Sequence, residues 1–454
     1  MNRRLGVRLR YAAVVKAIHG ALVHTGAGFE PDLCVLVEGD RIAGIVPPRE
    51  VPPEAEVDDW GHAAIVPGTV NSHGHAFQNL LKGFSDDLPF ESWRDDVLYP
   101  FSDRLDGDAI YAGALFAFAE ALLAGATTTV DFFYLHDSSN ANAERVIEAA
   151  KDIGIRLVLA RALYDPDAPT KAPARYREPA RDAAQRCRDL AEDYLDDPLV
   201  HVQPAPHSLH AASPETIRIA LELAESLDTP CHLHLAEAAY ERAQIEERYG
   251  ATPVRLLHRE GLLNDRLVAI HSVWVDDEEL DLLAASGAGI VHCPGANAFL
   301  GDGMARVPEM LARGIRVALG PDGGCANNRQ SVFDEMRQAT LVAKAQAKDG
   351  SALDAMTAFR LGTEAGADLL GLPAGRLAAG AFADLVGLDS HDLSLQPPGQ
   401  LERHIVHSMQ PTAIANVMVG GRVVVRDHHL TTIRNGEIRK RVAEATAGWS
   451  RPGI

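Results

Sequence analysis

Two textures alternate along the chain. From about Val14 to Val66, short β-rich runs are broken by Gly, Asp and Pro. Ala21-Leu22-Val23, Leu33 to Glu38 and Arg41 to Val46 read as strands, with Gly39-Asp40 as a tight turn. No helix-period segment of useful length occurs there. After about Gly375 the same texture returns in Ala383 to Leu388, Ala415 to Val419 and Arg422 to Val425, with Gly420-Gly421 as a turn. The pattern predicts one small β-domain built from both ends, residues 1–66 and 375–454, and interrupted by the middle.

The middle, residues 67–374, alternates apolar runs with helical periodicity. Strands are predicted at Ala64 to Val70, Thr127 to Phe132, Ile155 to Ala160, Val200 to Gln203, Cys231 to Leu235, Leu267 to Ile270, Gly289 to Val291 and Arg316 to Leu319. Amphipathic patterns between them include Ala109 to Ala124, Ala141 to Ile153, Pro214 to Leu227 and Asp276 to Ala285. Eight strands alternating with helices predict an α/β fold, a (β/α)8 barrel. The other arrangement, a doubly wound open sheet, normally carries a Gly-rich first turn, and none follows the first strand. The Pro- and charge-rich stretch Asp165 to Arg181 reads as a loop inserted near the barrel mouth, or as a solvated connection.

Charge narrows the partners. The chain has 454 residues and a formal net charge of −20. The whole molecule therefore has no attraction for nucleic acid or an anionic membrane. Five scattered cysteines make no disulfide framework and suit a reducing, cytoplasmic setting. Met1-Asn2-Arg3-Arg4 is followed by mixed polar sequence, which predicts neither a signal peptide nor a membrane span.

The chemistry begins at His73-Gly74-His75. In extended backbone, residues two apart share a face, so two imidazoles at the exit of a buried strand converge. His234, Glu237, His271 and Asp322 follow, each at or just past a predicted strand end. In such a barrel the strand C-termini carry the active site. Imidazoles plus a carboxylate suit Zn²⁺ or Fe²⁺, with an open position for water, and the ordered set predicts a metal-dependent hydrolase. One His-x-His alone arises easily by chance. His232 needs no metal role, Asp427-His428-His429 reads as a surface turn, and His62 and His201 have no partner signal.

This set resembles the amidohydrolase superfamily, in the mononuclear deaminase branch of guanine, 8-oxoguanine and S-adenosylhomocysteine deaminases. The shared segments are Pro67 through His75, His234-Leu235-Ala236-Glu237, His292-Cys293-Pro294, Leu319 through Gly323, and Gly375 through Val386. The resemblance implies a β-sandwich formed by the chain ends. It implies one divalent ion, Zn²⁺ or Fe²⁺, held by His73, His75, His234 and Asp322. Glu237 would shuttle protons, Asp322 would take the proton of the attacking water, and His271 would hydrogen-bond that nucleophile or the substrate. Binuclear relatives carry a lysine at the end of strand four, and Val200 to His207 holds none. A homodimer is also implied.

The implied substrate is a small molecule bearing an amine on an sp² carbon, contacted by Gln78, Tyr134, His207 and His210. Formimino-L-glutamate deiminases resemble the chain too, through Gln78 and Leu300-Gly301-Asp302-Gly303. Their carboxylate-gripping arginines correspond to Asn79 and His210 here, which favours a neutral heterocycle such as a purine or pterin. Triazine chlorohydrolase-like chemistry and a non-catalytic barrel are the other readings; the complete ligand set speaks against the last. Trp93 and Trp274 would wall the pocket or fill the core, with the core favoured for Trp274. Cys325 reads as a small packing residue.

Overall fold

The computed structural model describes residues 15–450; Met1–Arg4 and Val14 lie outside them. The strands are β1 (Val15–His24), β2 (Phe29–Glu38), β3 (Arg41–Val46), β4 (Glu56–Asp59), β5 (Ala63–Pro67), β6 (Thr69–Asn71), β7 (Ala126–Phe133), β8 (Arg156–Leu163), β9 (Val200–Pro206), β10 (Cys231–Leu235), β11 (Leu267–His271), β12 (Gly289–His292), β13 (Arg316–Leu319), β14 (Leu385–Asp389), β15 (Ile414–Val419), β16 (Arg422–Arg426) and β17 (His429–Leu430).

Strands β6 to β9 pair in parallel in chain order, and so do β10 to β13. Two seams close these halves into a ring. The His234 amide donates to the His207 carbonyl at 3.1 Å, and the Ser72 amide to the Leu319 carbonyl at 3.0 Å. The result is a barrel of eight parallel strands wrapped by helices such as Gly107–Leu123, Ala141–Ile153, Pro214–Leu227 and Asp277–Ser286. Strands covered on both faces have no polar side to show, and every residue of β7, β8 and β10 is buried. Asp106, Ser213 and Asp276 cap their helices by accepting from the amide three residues on, and Gly154 and Gly287 end theirs in left-handed backbone.

The run Ala64 to Val70 is not one strand. Its first half, β5, pairs with β1 and β14, and its second half, β6, pairs with β7. The handover falls at Gly68, where a Cβ would stand 2.1 Å from Thr127 Oγ1, so only glycine fits. Both chain ends join in one nine-stranded sheet, β17-β16-β15-β14-β5-β1-β2-β3 with β4 beside β1. That sheet curls over a core of its own, including Ile18, Val35, Ile65, Leu385 and Met418. Its two ends approach where the Gly421 amide donates to the Ala383 carbonyl and the Ala383 amide to the Asp40 carbonyl.

Arg156, at the start of β8, joins sheet to barrel. Its guanidinium meets both Asp384 carboxylate oxygens at 3.1 Å, lies 3.4 Å over the Phe382 ring and is fully buried. The loop after β8 is ordered by Arg177, which donates to the carbonyls of Pro166, Ala168, Thr170 and Ala172. Among the described residues no helix is long and apolar enough to cross a membrane. All five cysteines are free and buried.

Candidate active site and metal centre

Six side chains meet at the C-terminal mouth of the barrel: His73 and His75 beyond β6, His234 in β10, Glu237 just after it, His271 at the end of β11 and Asp322 after β13. Donor atoms of His73, His75 and Asp322 lie within 4.8 Å of one another, as do those of His73, His234 and His271, and those of Glu237, His271 and Asp322. Asp322 Oδ1 is 3.3 Å from His73 Nε2 and 3.5 Å from His75 Nε2. Three strand ends turn through left-handed backbone at non-glycine residues, Ala236, His271 and Asp322, with φ of 52°, 71° and 66°. Such conformations cost free energy and persist where the surroundings over-determine them, as around an active site.

The protonation pattern sorts the imidazoles. His75 Nδ1 lies 2.6 Å from the Phe132 carbonyl, and His234 Nδ1 2.8 Å from the His207 carbonyl. A carbonyl only accepts, so both rings carry their proton on Nδ1. Their Nε2 lone pairs then face each other across 3.3 Å. Burial holds both rings, and His73, below the ordinary histidine range, so no proton bridges them. Both His73 ring nitrogens are buried without a hydrogen-bond partner. Converging lone pairs beside a carboxylate repel unless a cation sits among them, so this donor set fits a divalent ion.

Glu237 Oε1 lies 3.5 Å from His271 Nε2. Burial, then Asp302, Asp322 and Glu241, pushes the Glu237 carboxyl well above its usual range. The Glu237 amide donates to Glu241 Oε2 at 2.9 Å. His271 Nδ1 faces the side-chain amide nitrogen of Asn297 at 3.2 Å.

A cleft of about 570 Å³, counted to its open mouth, lies over these groups. Gln78, Tyr134, His207 and His210 all line it. Gln78 is already engaged, donating to Tyr134 Oη at 2.9 Å while its carbonyl accepts from Cys325 Sγ at 3.2 Å. Cys325 does not line the cleft but hydrogen-bonds the Gln78 that does, so it is more than a packing residue. His207 and His210 share Ser208 Oγ at 3.0 and 3.1 Å, and burial lowers the His210 pKa to about 3, so it offers no charge.

Several expectations change. Trp274 is 41% exposed and not in the core; its indole donates to the Asp302 carbonyl at 2.8 Å. Trp93 is buried and also lines the cleft. His232 is fully buried and pairs with Gln203 at 2.7 Å. Asn79 does not line the cleft; it donates to Glu120. Sequence reasoning missed Arg94, Tyr240, Glu241, Asn297 and Asp302. Arg94 is the cleft's sole Lys or Arg among the described residues, with Nε 2.7 Å from Asp95 and its guanidinium 5.3 Å from the Tyr240 ring centre. No strand end marks it. Glu241 lies in the first turn of the next helix, Ala239–Tyr249, and Glu237 precedes that helix, so no helical spacing links the two.

A (β/α)8 barrel with four imidazoles and two carboxyl groups converging at its strand ends defines a class of metal-dependent hydrolases. Within that class, the profile of the Amidohydrolase family matches residues 64–424, and the chain belongs to that family. A 5′-deoxyadenosine deaminase of Methanothermobacter thermautotrophicus is 33% identical over 91% of this chain and 93% of its own. A 5-methylthioadenosine/S-adenosylhomocysteine deaminase of Nitratidesulfovibrio vulgaris is 34% identical over 95% of this chain and 94% of its own. Among solved structures, a zinc-bound adenosine deaminase from Xanthomonas campestris superposes with a TM-score of 0.87 at 28% identity, covering 96% of this chain and 98% of that one.

Proposed function

We propose that the protein is a hydrolytic deaminase that removes the exocyclic amine of an adenine-type heterocycle, as part of a nucleoside-like small molecule. One observation carries the reading: two carboxyl groups in different settings flank the imidazole cluster. Burial and the neighbouring acids push the Glu237 carboxyl well above its usual range, which suits it to give a proton, while Asp322 Oδ1 accepts from the Gly323 amide at 2.7 Å. The names of the two relatives above supply the adenine class. His73, His75, His234 and Asp322 would hold one ion, Zn²⁺ on the donor chemistry and on the precedent of the zinc-bound neighbour. When bound, the ion supplies Lewis acidity that makes water nucleophilic near neutral pH.

The chain's own groups move the protons. Asp322 accepts a proton from the attacking water as its oxygen adds to the amine-bearing carbon. Glu237 gives its proton to the adjacent ring nitrogen. His271 Nε2–H donates toward the adding oxygen. The amine then takes the proton held on Asp322, the C–N bond breaks and ammonia leaves, while the hydroxyl proton of the added oxygen passes to the Glu237 carboxylate as the carbonyl forms, which restores the acid. Arg94 is already paired with Asp95, so a dicarboxylate such as formimino-L-glutamate would find no free cation in the cleft.

The test is ammonia release from 5′-deoxyadenosine, 5′-methylthioadenosine, S-adenosylhomocysteine and adenosine, against formimino-L-glutamate and, for chloride, a chlorotriazine. An adenine compound should be turned over best. Glu237→Gln should keep about one equivalent of metal while losing ~10²–10⁴-fold in turnover. Preference for formimino-L-glutamate or chloride release would overturn the substrate assignment. Loss of metal in Glu237→Gln would overturn the role of Glu237.

A further inference from the structure

Geometry alone admits His271 as a metal ligand, because its donor atom shares a 4.8 Å cluster with those of His73 and His234. Its hydrogen bonding argues otherwise. His75 and His234 are each fixed by a backbone carbonyl at Nδ1, which leaves Nε2 as a lone pair. At His271 the group opposite Nδ1 is the Asn297 amide nitrogen, 3.2 Å away, which donates. Nδ1 is then the acceptor, and the ring proton sits on Nε2. That nitrogen faces two carboxyl oxygens, Glu237 Oε1 at 3.5 Å and Asp322 Oδ2 at 3.9 Å, and each group keeps a lone pair that can accept even when one carboxyl carries its proton.

What sets the amide is the next neighbour. The Asn297 amide nitrogen is also 3.4 Å from Asp302 Oδ2. Turning the amide over would bring its carbonyl against that oxygen, which repels it once Asp302 is ionised; burial pushes that carboxyl up to about 7. Asp302 is held in place by two further bonds: its amide donates to the Asn297 carbonyl at 3.0 Å, and its carbonyl accepts from the Trp274 indole at 2.8 Å. Asn297 is fully buried on the helix Pro294–Leu300, so no bulk water competes for its amide.

We propose that Asn297, oriented by Asp302, is a positioning residue that fixes His271 in the Nε2–H form. This keeps His271 out of the ligand set and makes it a donor into the reaction site. Asp302, Asn297 and His271 form one relay across the ends of β11 and β12. The inference rests on the donor role given to His271 above, but its test reads the ring directly.

Metal-loaded protein labelled with ¹⁵N-histidine is examined by NMR, and the His271 signals are taken as those lost in His271→Gln. The wild-type ring should show a protonated Nε2 and an unprotonated, hydrogen-bonded Nδ1. The exchanged pair Asn297→Asp with Asp302→Asn keeps one carboxylate and one amide but reverses their order. A carboxylate then faces Nδ1, and the two ¹⁵N shifts should change places. Losing a preorganised donor should lower kcat on the order of 10²-fold with a much smaller change in KM. A wild-type ring protonated at Nδ1, or an exchanged variant with the tautomer unchanged, would overturn the proposal. If the exchanged variant does not fold, the wild-type spectrum decides alone. An Nε2–H ring in a protein that deaminates no adenine compound would overturn the proposed function and leave this relay standing.

Discussion

Asp384→Asn removes one charge from the buried pair that fastens the terminal sheet to the barrel. Arg156 and Asp384 have side-chain exposures of 0% and 1%. The carboxylate takes two guanidinium bonds at 3.1 Å and the Gly420 amide at 2.8 Å. Asparagine keeps the shape and leaves the guanidinium charge buried without its partner. Breaking one side of such a pair costs ~3–5 kcal/mol. Unfolding entropy of ~2.1 cal/mol/K per residue over 454 residues is about 1 kcal/mol/K, so Tm should fall by roughly 3–5 °C. Arg156→Met with Asp384→Leu removes both charges and should recover roughly half of that loss, because no lone charge remains. The assay is a denaturant and thermal series on both variants and wild type. A single variant within ~1 kcal/mol of wild type, or a double variant worse than the single, would refute the reasoning.

Three further outcomes are expected. Gly323→Ala would place a Cβ 1.8 Å from Gln78 Oε1, breaking the Gln78–Tyr134 and Gln78–Cys325 bonds; KM should rise several-fold with metal content unchanged, and an unaltered KM would count against Gln78 shaping the cleft. Gly68→Ala would drive a Cβ into Thr127 at 2.1 Å and should cost ~1–3 kcal/mol in denaturant melts, where a neutral result would show that the strand handover can relax. Burial lowers His210, His232 and His292 from 6.5 to about 3. Their folded pKa lies below the unfolded one, so their stability is present above pH 6.5 and is lost as pH falls toward 3. Denaturation midpoints should drop steadily through that window, and a flat profile would contradict it.

The barrel and the donor cluster were legible because their signals are local. Each barrel strand is a short apolar run between helical periods, and His73, His75, His234, His271 and Asp322 all sit at the ends of such runs. The split of Ala64–Val70 between two sheets was not legible, since apolar content does not say which neighbour a strand pairs with. Only the closeness of Thr127 to Gly68 explains it. Arg94 escaped because it lies on a short π-helix, Trp93–Leu98, which reaches the cleft by tertiary packing and not from a strand end. Trp274 was misread because an indole serves a hydrogen bond at the surface as readily as it fills a core. Asn297 and Asp302 act through another side chain, and such roles leave no spacing of their own.

The seam that closes the barrel also sets the cage. The bond from the Ser72 amide to the Leu319 carbonyl is followed directly by the Asp322 amide donating to the His73 carbonyl at 3.1 Å, so the ring is shut by the same backbone that carries two of the proposed donors. Part of the donor geometry is therefore built into the barrel's own backbone. Ion exchange becomes a native-state equilibrium, governed by which divalent metal the surroundings supply. A preparation stripped by a chelator should stay folded, accept cobalt or iron in place of zinc at ordinary temperature, and carry, when isolated from cells, a mixture that records the medium it grew in.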